Sequence, residues 1–156
     1  MVVRAQLEQW LNRYLNVGAV HDHLPNGLQV EGVREVKRVL TAVSISADVI
    51  EEAVRAGADT IVVHHGMFWK HDDPTLRGYR KTRIEKLLSA GINLFAYHLP
   101  LDLHPEISHN RLIIERLGAV VRDSAGGEPA GAGGARTGGE LAFGLEGLFT
   151  APIAFT

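Results

Sequence analysis

The run Thr60-Ile61-Val62-Val63 ends in two adjacent imidazoles, His64 and His65, with Gly66 directly behind them. A second apolar run, from Ile92 to Tyr97, also ends in polar groups: His98 and, after Leu99, Pro100 and Leu101, Asp102. The chain has no cysteine, so thiolate ligands and Cys nucleophiles are excluded, and any metal must bind through His and carboxylate. That donor set suits Zn, Fe, Mn, Co or Ni and does not select among them. If the two runs are neighbouring strands, about 4.8 Å apart, their ends bring two or three imidazoles, from His64, His65 and His98, and the Asp102 carboxylate within reach of one ion, or of a pair about 3.5 to 4 Å apart. Such an ion lowers the pKa of a bound water and polarises a substrate oxygen, which is hydrolytic chemistry. His98 reads as the catalytic candidate, a proton carrier beside the metal water or a group buttressing the ligands.

The other polar candidates have simpler accounts. His21 and His23 form a His-x-His pair of the kind seen in amidohydrolase-like enzymes, but they precede a Pro-Asn-Gly turn and do not end a clear strand, so they read as loop. His71, His104 and His109 lie in polar connections and read as solvated. Glu106 is within reach of the same crevice, although Ser108 makes helix entry the simpler role. Phe68 and Trp69 either line a pocket wall or pack.

These groups need elements to position them. Leu7, Trp10, Leu11, Tyr14 and Leu15 recur at helical spacing, which predicts an amphipathic helix over 5–16 with that face on a core. Residues 25–32 predict a turn entering a short strand, and the β-branched stretch 37–46 predicts a strand covered on both faces. Ser46 caps a predicted helix that carries Asp48, Glu51 and Glu52 in its N-terminal half and closes at Gly57. Strand 60–65 follows. A helix over 79–90 stops at Gly91 before the second apolar run, and another from Ser108 stops at Gly118 before Ala119-Val120-Val121. Helix, glycine, strand, repeated in this way, predicts an α/β fold: a largely parallel sheet built from βα units with helices on its faces. Neighbouring strand residues point to opposite faces, so His64 and His65 can share a site only where the chain leaves the sheet. Gly66 is expected to permit that curl through unusual backbone angles.

The length of 156 residues suits one main domain. Residues 1–123 are expected to form an α/β metal-site domain and 124–139, rich in Gly and Ala, a connector. Residues 140–156 resume strand-like alternation and end in apolar residues, which reads as the start of a truncated second part. The formal charge of -2 with scattered Lys and Arg disfavours nucleic acid. No run suggests a signal peptide or a membrane helix, so the expectation is a soluble, cytoplasmic protein without a membrane partner.

The segments Pro25–Gly32, Gly57–Lys70 and Ile92–Gly118 resemble the Nif-three-like dinuclear-metal proteins, known as GTP cyclohydrolase 1 type 2 homologs. The resemblance spans about residues 5 to 120. It implies two divalent transition metal ions per complete site, with His64, His65 and Asp102 as ligands, and self-assembly into a toroidal homohexamer. The activity implied is that of a metal-dependent hydrolase on an unidentified small-molecule substrate, the alternatives being a metal-binding scaffold or interaction protein, or an inactive truncated fragment. In the family the remaining ligands lie in a C-terminal His-x-x-x-Glu segment. No histidine follows His109 here, so the expectation is a Nif-three-like fold with its C-terminal half missing.

Overall fold

The computed structural model describes residues 1–122 and 146–148. The expected connector, 124–139, lies outside the described residues, as does all of 140–156 except one short strand. The chain divides into two compact units, Met1–Pro100 and Leu101–Thr156.

The first unit opens with β1 (Val2–Val3), α1 (Arg4–Tyr14) and a 3-10 turn at Val17–Ala19, followed by β2 (Gly27–Val30) and β3 (Glu35–Val36). The β1 and β3 strands pair antiparallel as a separate small sheet. The expected repeat follows as β4 (Val39–Ser44), α2 (Ala47–Arg55), β5 (Thr60–His65), α3 (Gly78–Ser89) and β6 (Asn93–Ala96). The main sheet has the order β2-β6-β5-β4. Its β4–β5 and β5–β6 pairs are parallel, and β2 adds an antiparallel edge. The fold is therefore α/β with a mostly parallel sheet, as the helix-glycine-strand pattern predicts.

Local chemistry sets the repeat. Ser46 Oγ accepts the Val49 N–H at 3.1 Å, which satisfies one of the orphan donors at the start of α2. Gly57, just past the end of α2, takes the left-handed conformation, with φ of 65°. Ile50 and Ala53 of α2 and Leu87 of α3 pack with Ile61 and Val63 of β5 and Leu94 and Ala96 of β6. Burial of each such Ile or Leu stabilises the fold by roughly 1.5–3 kcal/mol.

Two packing expectations are corrected in this unit. The β4 strand is an edge, with Val39 and Val43 exposed, so it is covered on one face only. A β-branched run registers strand propensity but not position in the sheet. Of the face of α1 expected on a core, Leu15 at its C-terminal end is buried and Leu7 and Leu11 are half-buried, but Trp10 is 55% exposed and stacks on Tyr14 at 5.1 Å. The helix is also tied down by polar contacts, in which Glu8 Oε1 accepts the Leu28 N–H at 3.3 Å and Asn12 Oδ1 accepts the Tyr97 hydroxyl at 2.9 Å.

A short helix, α4 (Leu99–Asp102), leads into the second unit, which contains α5 (His109–Arg116) and β7 (Val120–Arg122). Ser108 Oγ caps α5 by accepting the Arg111 N–H at 3.3 Å. The β7 strand follows its helix as expected, but it pairs antiparallel with β8 (Glu146–Leu148) and does not extend the parallel sheet. His104, expected to be solvated, is buried. Its Nδ1 accepts the N–H groups of Glu106 and Ile107 at 3.1 and 3.3 Å, closing the turn before α5.

Candidate metal centre

The parallel strands deliver their carboxyl ends together: Ser44 is in register with His65, and the Tyr97 N–H donates to the Val63 carbonyl at 2.9 Å. In open α/β sheets this rim is where ligands bind. Both histidines belong to β5 itself, yet their ring centroids are 4.4 Å apart. Each is anchored to the end of a different flanking strand. His64, 8% exposed, has Nδ1 at 3.1 Å from the Tyr97 carbonyl oxygen, and His65 has Nδ1 at 2.9 Å from Ser44 Oγ.

His98 follows β6 and completes a cluster, its ring centroid 4.9 Å from His64 and 5.7 Å from His65. One potential ligand atom from each of the three residues lies within 4.8 Å of the others, so the group could hold a metal ion. The donor chemistry fits a divalent transition ion. With Nδ1 engaged in all three rings, Nε2 is the nitrogen that would face an ion held there, and a hydrogen bond to the opposite ring nitrogen orients an imidazole and raises its basicity.

The group that anchors His98 is one the sequence motifs do not single out. Within His21-Asp22-His23, both histidines are exposed, as a loop reading predicts, while the Asp22 side chain is only 2% exposed. Asp22 Oδ1 lies 3.0 Å from His98 Nδ1, and Oδ2 accepts the Leu99 N–H at 2.8 Å and the Asn26 amide at 3.0 Å. Asn26 Oδ1 accepts the His98 N–H at 2.7 Å, so the loop before β2 grips this segment at both backbone and ring. Burial opposes the charge on Asp22, but the hydrogen bonds from Asn26, His98 and Leu99 outweigh it and lower the carboxyl from 3.8 to about 2. Tyr97 shifts the other way: burial, reinforced by the Glu8 charge, raises its phenol well above the usual range.

The connection after β5 forms a wall beside the imidazoles. The Trp69 indole, 39% exposed, lies edge-on to His98 with centroids 5.4 Å apart and is 5.9 Å from His65. The backbone N–H of Trp69 donates to Asp72 Oδ2 at 3.0 Å. Asp72 in turn pairs with the buried Arg80 of α3, which also reaches the carbonyl of Asp73 and stands over the Phe68 ring at 5.7 Å. Gly66 does not supply the expected unusual angles, since it is absent from the positive-φ residues. A Cβ there would sit 2.2 Å from Gln29 Oε1, the atom that accepts the Met67 N–H at 2.8 Å. The glycine leaves room for the Gln29 side-chain amide to reach this backbone.

The second unit carries Asp102 at the end of α4. His109, expected to be solvated, is the first residue of α5 and is half-exposed, with Nδ1 3.4 Å from Asp102 Oδ1. Ser44, Asp22 and Arg80 were missed as site residues. The local signal for Asp22 is its place at the head of Asp-His-Leu-Pro-Asn, a turn in which an Asp commonly binds nearby backbone N–H groups.

Comparison with known proteins agrees with this architecture. The family model for Duf34/NIF3 (NGG1p interacting factor 3) matches residues 2–141. A GTP cyclohydrolase 1 type 2 homolog from Escherichia coli K12 is 47% identical over 116 residues, covering 74% of this chain and 47% of that protein. Among solved structures, the protein ybgI, described as of unknown function, superposes with a TM-score of 0.76 at 45% identity over 78% of this chain and 49% of that one. TTHA1606 from Thermus thermophilus gives 0.72 at 40% identity, covering 76% and 49%. The chain spans about half the length of the curated relatives it matches.

Proposed function

Because the chain belongs to the Duf34/NIF3 family, we propose that it contributes its imidazole cluster to a two-ion centre that hydrolyses a small-molecule substrate. His64 and His65 are the imidazole ligands and Asp102 the carboxylate, a role that rests on the resemblance of the His-x-x-x-Asp segment. A divalent transition ion held there supplies an acidified water and a Lewis acid for a substrate oxygen. His98, the third imidazole of the group, presents its ring to the same ion and carries the proton, and Trp69 walls the cleft. The single observation that supports this reading best is the convergence of three imidazoles whose Nδ1 atoms are each already held by another group.

The test is elemental analysis of the purified chain, followed by Co²⁺ titration and assay against phosphoester, nucleotide and amide substrates. Transition metal is expected, and it should be lost in His65→Ala and in Asp102→Ala. Protein that neither carries nor takes up metal rules the reading out. The proposed partners are copies of the same chain, with a hexamer implied by resemblance, and neither nucleic acid nor membrane. Among the described residues no helix is long and apolar enough to cross a membrane, and the proposed setting is the cytoplasm.

A second reading, a non-catalytic scaffold, draws support from the exposed Trp10–Tyr14 stack and from exposed Leu112, Ile113 and Leu117. Oligomers that survive chelation, seen by light scattering, together with no turnover of any substrate, would favour it.

A further inference from the structure

Among the described residues, every hydrogen-bond partner of the Asp22 carboxylate besides His98 is an obligate donor. Oδ1 accepts the N–H groups of His23 at 2.6 Å and Leu24 at 3.3 Å, and Oδ2 accepts the Leu99 N–H and the Asn26 amide. The Asn26 amide is itself fixed, because its oxygen accepts the His98 N–H while its nitrogen also donates to the Leu24 carbonyl at 3.2 Å. An ionised carboxylate has no proton to give. The contact of 3.0 Å between Asp22 Oδ1 and His98 Nδ1 is therefore a hydrogen bond only if Nδ1 bears the proton, since otherwise two lone pairs face each other. We propose that Asp22 is a positioning residue of the centre: it holds His98 as the Nδ1–H tautomer and presents Nε2 to the cleft as a lone pair. Free histidine favours the opposite tautomer, so the loop before β2 selects a ring state that the chain would not otherwise prefer. An Asn at position 22 cannot substitute, because either orientation of its amide turns an N–H₂ toward existing donors. The use of that lone pair rests on the metal-centre reading, whereas the tautomer itself does not.

The test uses the full chain with histidine labelled by nitrogen-15, at about pH 8, where imidazoles of ordinary pKa are neutral. Long-range proton–nitrogen correlations report the tautomer, and loss of one ring's signals in His98→Gln assigns it. In the metal-free protein His98 is expected as Nδ1–H, with a shift toward Nε2–H in Asp22→Asn. A wild-type His98 with its proton on Nε2 overturns the proposal whether or not Asp22→Asn folds. Co²⁺ titration supplies a second readout. Asp22→Asn is expected to weaken Co²⁺ binding by about 10- to 100-fold, with little further loss when made in the His98→Gln background. An equal loss in both backgrounds means that Asp22 only holds the loop, and overturns the proposal. A wild-type chain that takes up no Co²⁺ refutes the metal-centre reading, and the tautomer measurement then decides the proposal alone.

Discussion

A ligand histidine needs both nitrogens, one for the ion and one for the group that aims it. The two histidines of β5 divide differently between folding and binding. His64 is buried and accounts for a hydrogen bond to the Tyr97 carbonyl, so His64→Ala is expected to cost about 1–3 kcal/mol of stability in addition to metal uptake. His65 is half-exposed, so His65→Ala is expected to abolish uptake with little change in melting temperature. Denaturant curves and metal analysis on both variants check this. Asp22 sets an acid limit. Its folded pKa, about 2, lies below the unfolded value near 3.8, so its contribution is complete above the unfolded value and is lost as pH falls through the folded one. Wild-type stability should therefore fall more steeply from about pH 4 to pH 2 than that of Asp22→Asn, by an amount on the order of 2 kcal/mol. Equal slopes would contradict it. The adjacent histidines were legible because their neighbourhood is local. Asp22 was not, because the ring it holds lies 76 positions away.

Between β5 and α3 the chain is held by a cation that the sequence did not single out. Arg80 is buried, pairs with Asp72 and accounts for the carbonyl of Asp73, and Asp72 also holds the backbone of Trp69. Arg80→Met is expected to cost about 2 kcal/mol, to speed amide exchange across residues 67–73 and to shift Trp69 emission to the red. Exchange confined to global opening would contradict it. The βα repeat itself was readable, since Ser46, Gly57 and the apolar runs act over a few residues. The edge position of β4, the exposure of Trp10 and the antiparallel partner of β7 were not, because each depends on which distant strand or helix lies alongside. Gly66 is intermediate: its identity marked a special position, but the reason, the Gln29 side chain, comes from another strand.

At the scale of the molecule, the imidazole cluster lies in the first unit and draws on the ends of two adjacent parallel strands, His64 and His65 from β5 and His98 just past β6. An ion that binds only the folded form stabilises it by mass action, about 2.7 kcal/mol at a hundredfold excess over Kd. Saturating Co²⁺ is therefore expected to raise the thermal transition of the wild-type chain, slow amide exchange at the ends of β4, β5 and β6, and leave His65→Ala unchanged. Calorimetry with and without chelator checks this. The family and the α/β class were evident from the motifs, because the first 120 residues or so carry most of them.

The anchors of the three rings are chemically unlike. A carbonyl behind His64 and a carboxylate behind His98 each tolerate one arrangement of the ring proton, whereas the Ser44 hydroxyl behind His65 rotates and can either give or take a hydrogen bond. His65 alone can exchange its proton between nitrogens without losing its tether. Any accommodation the trio makes between a small hard ion and a larger, softer one, or between a loaded and an empty cleft, therefore falls on that ring first.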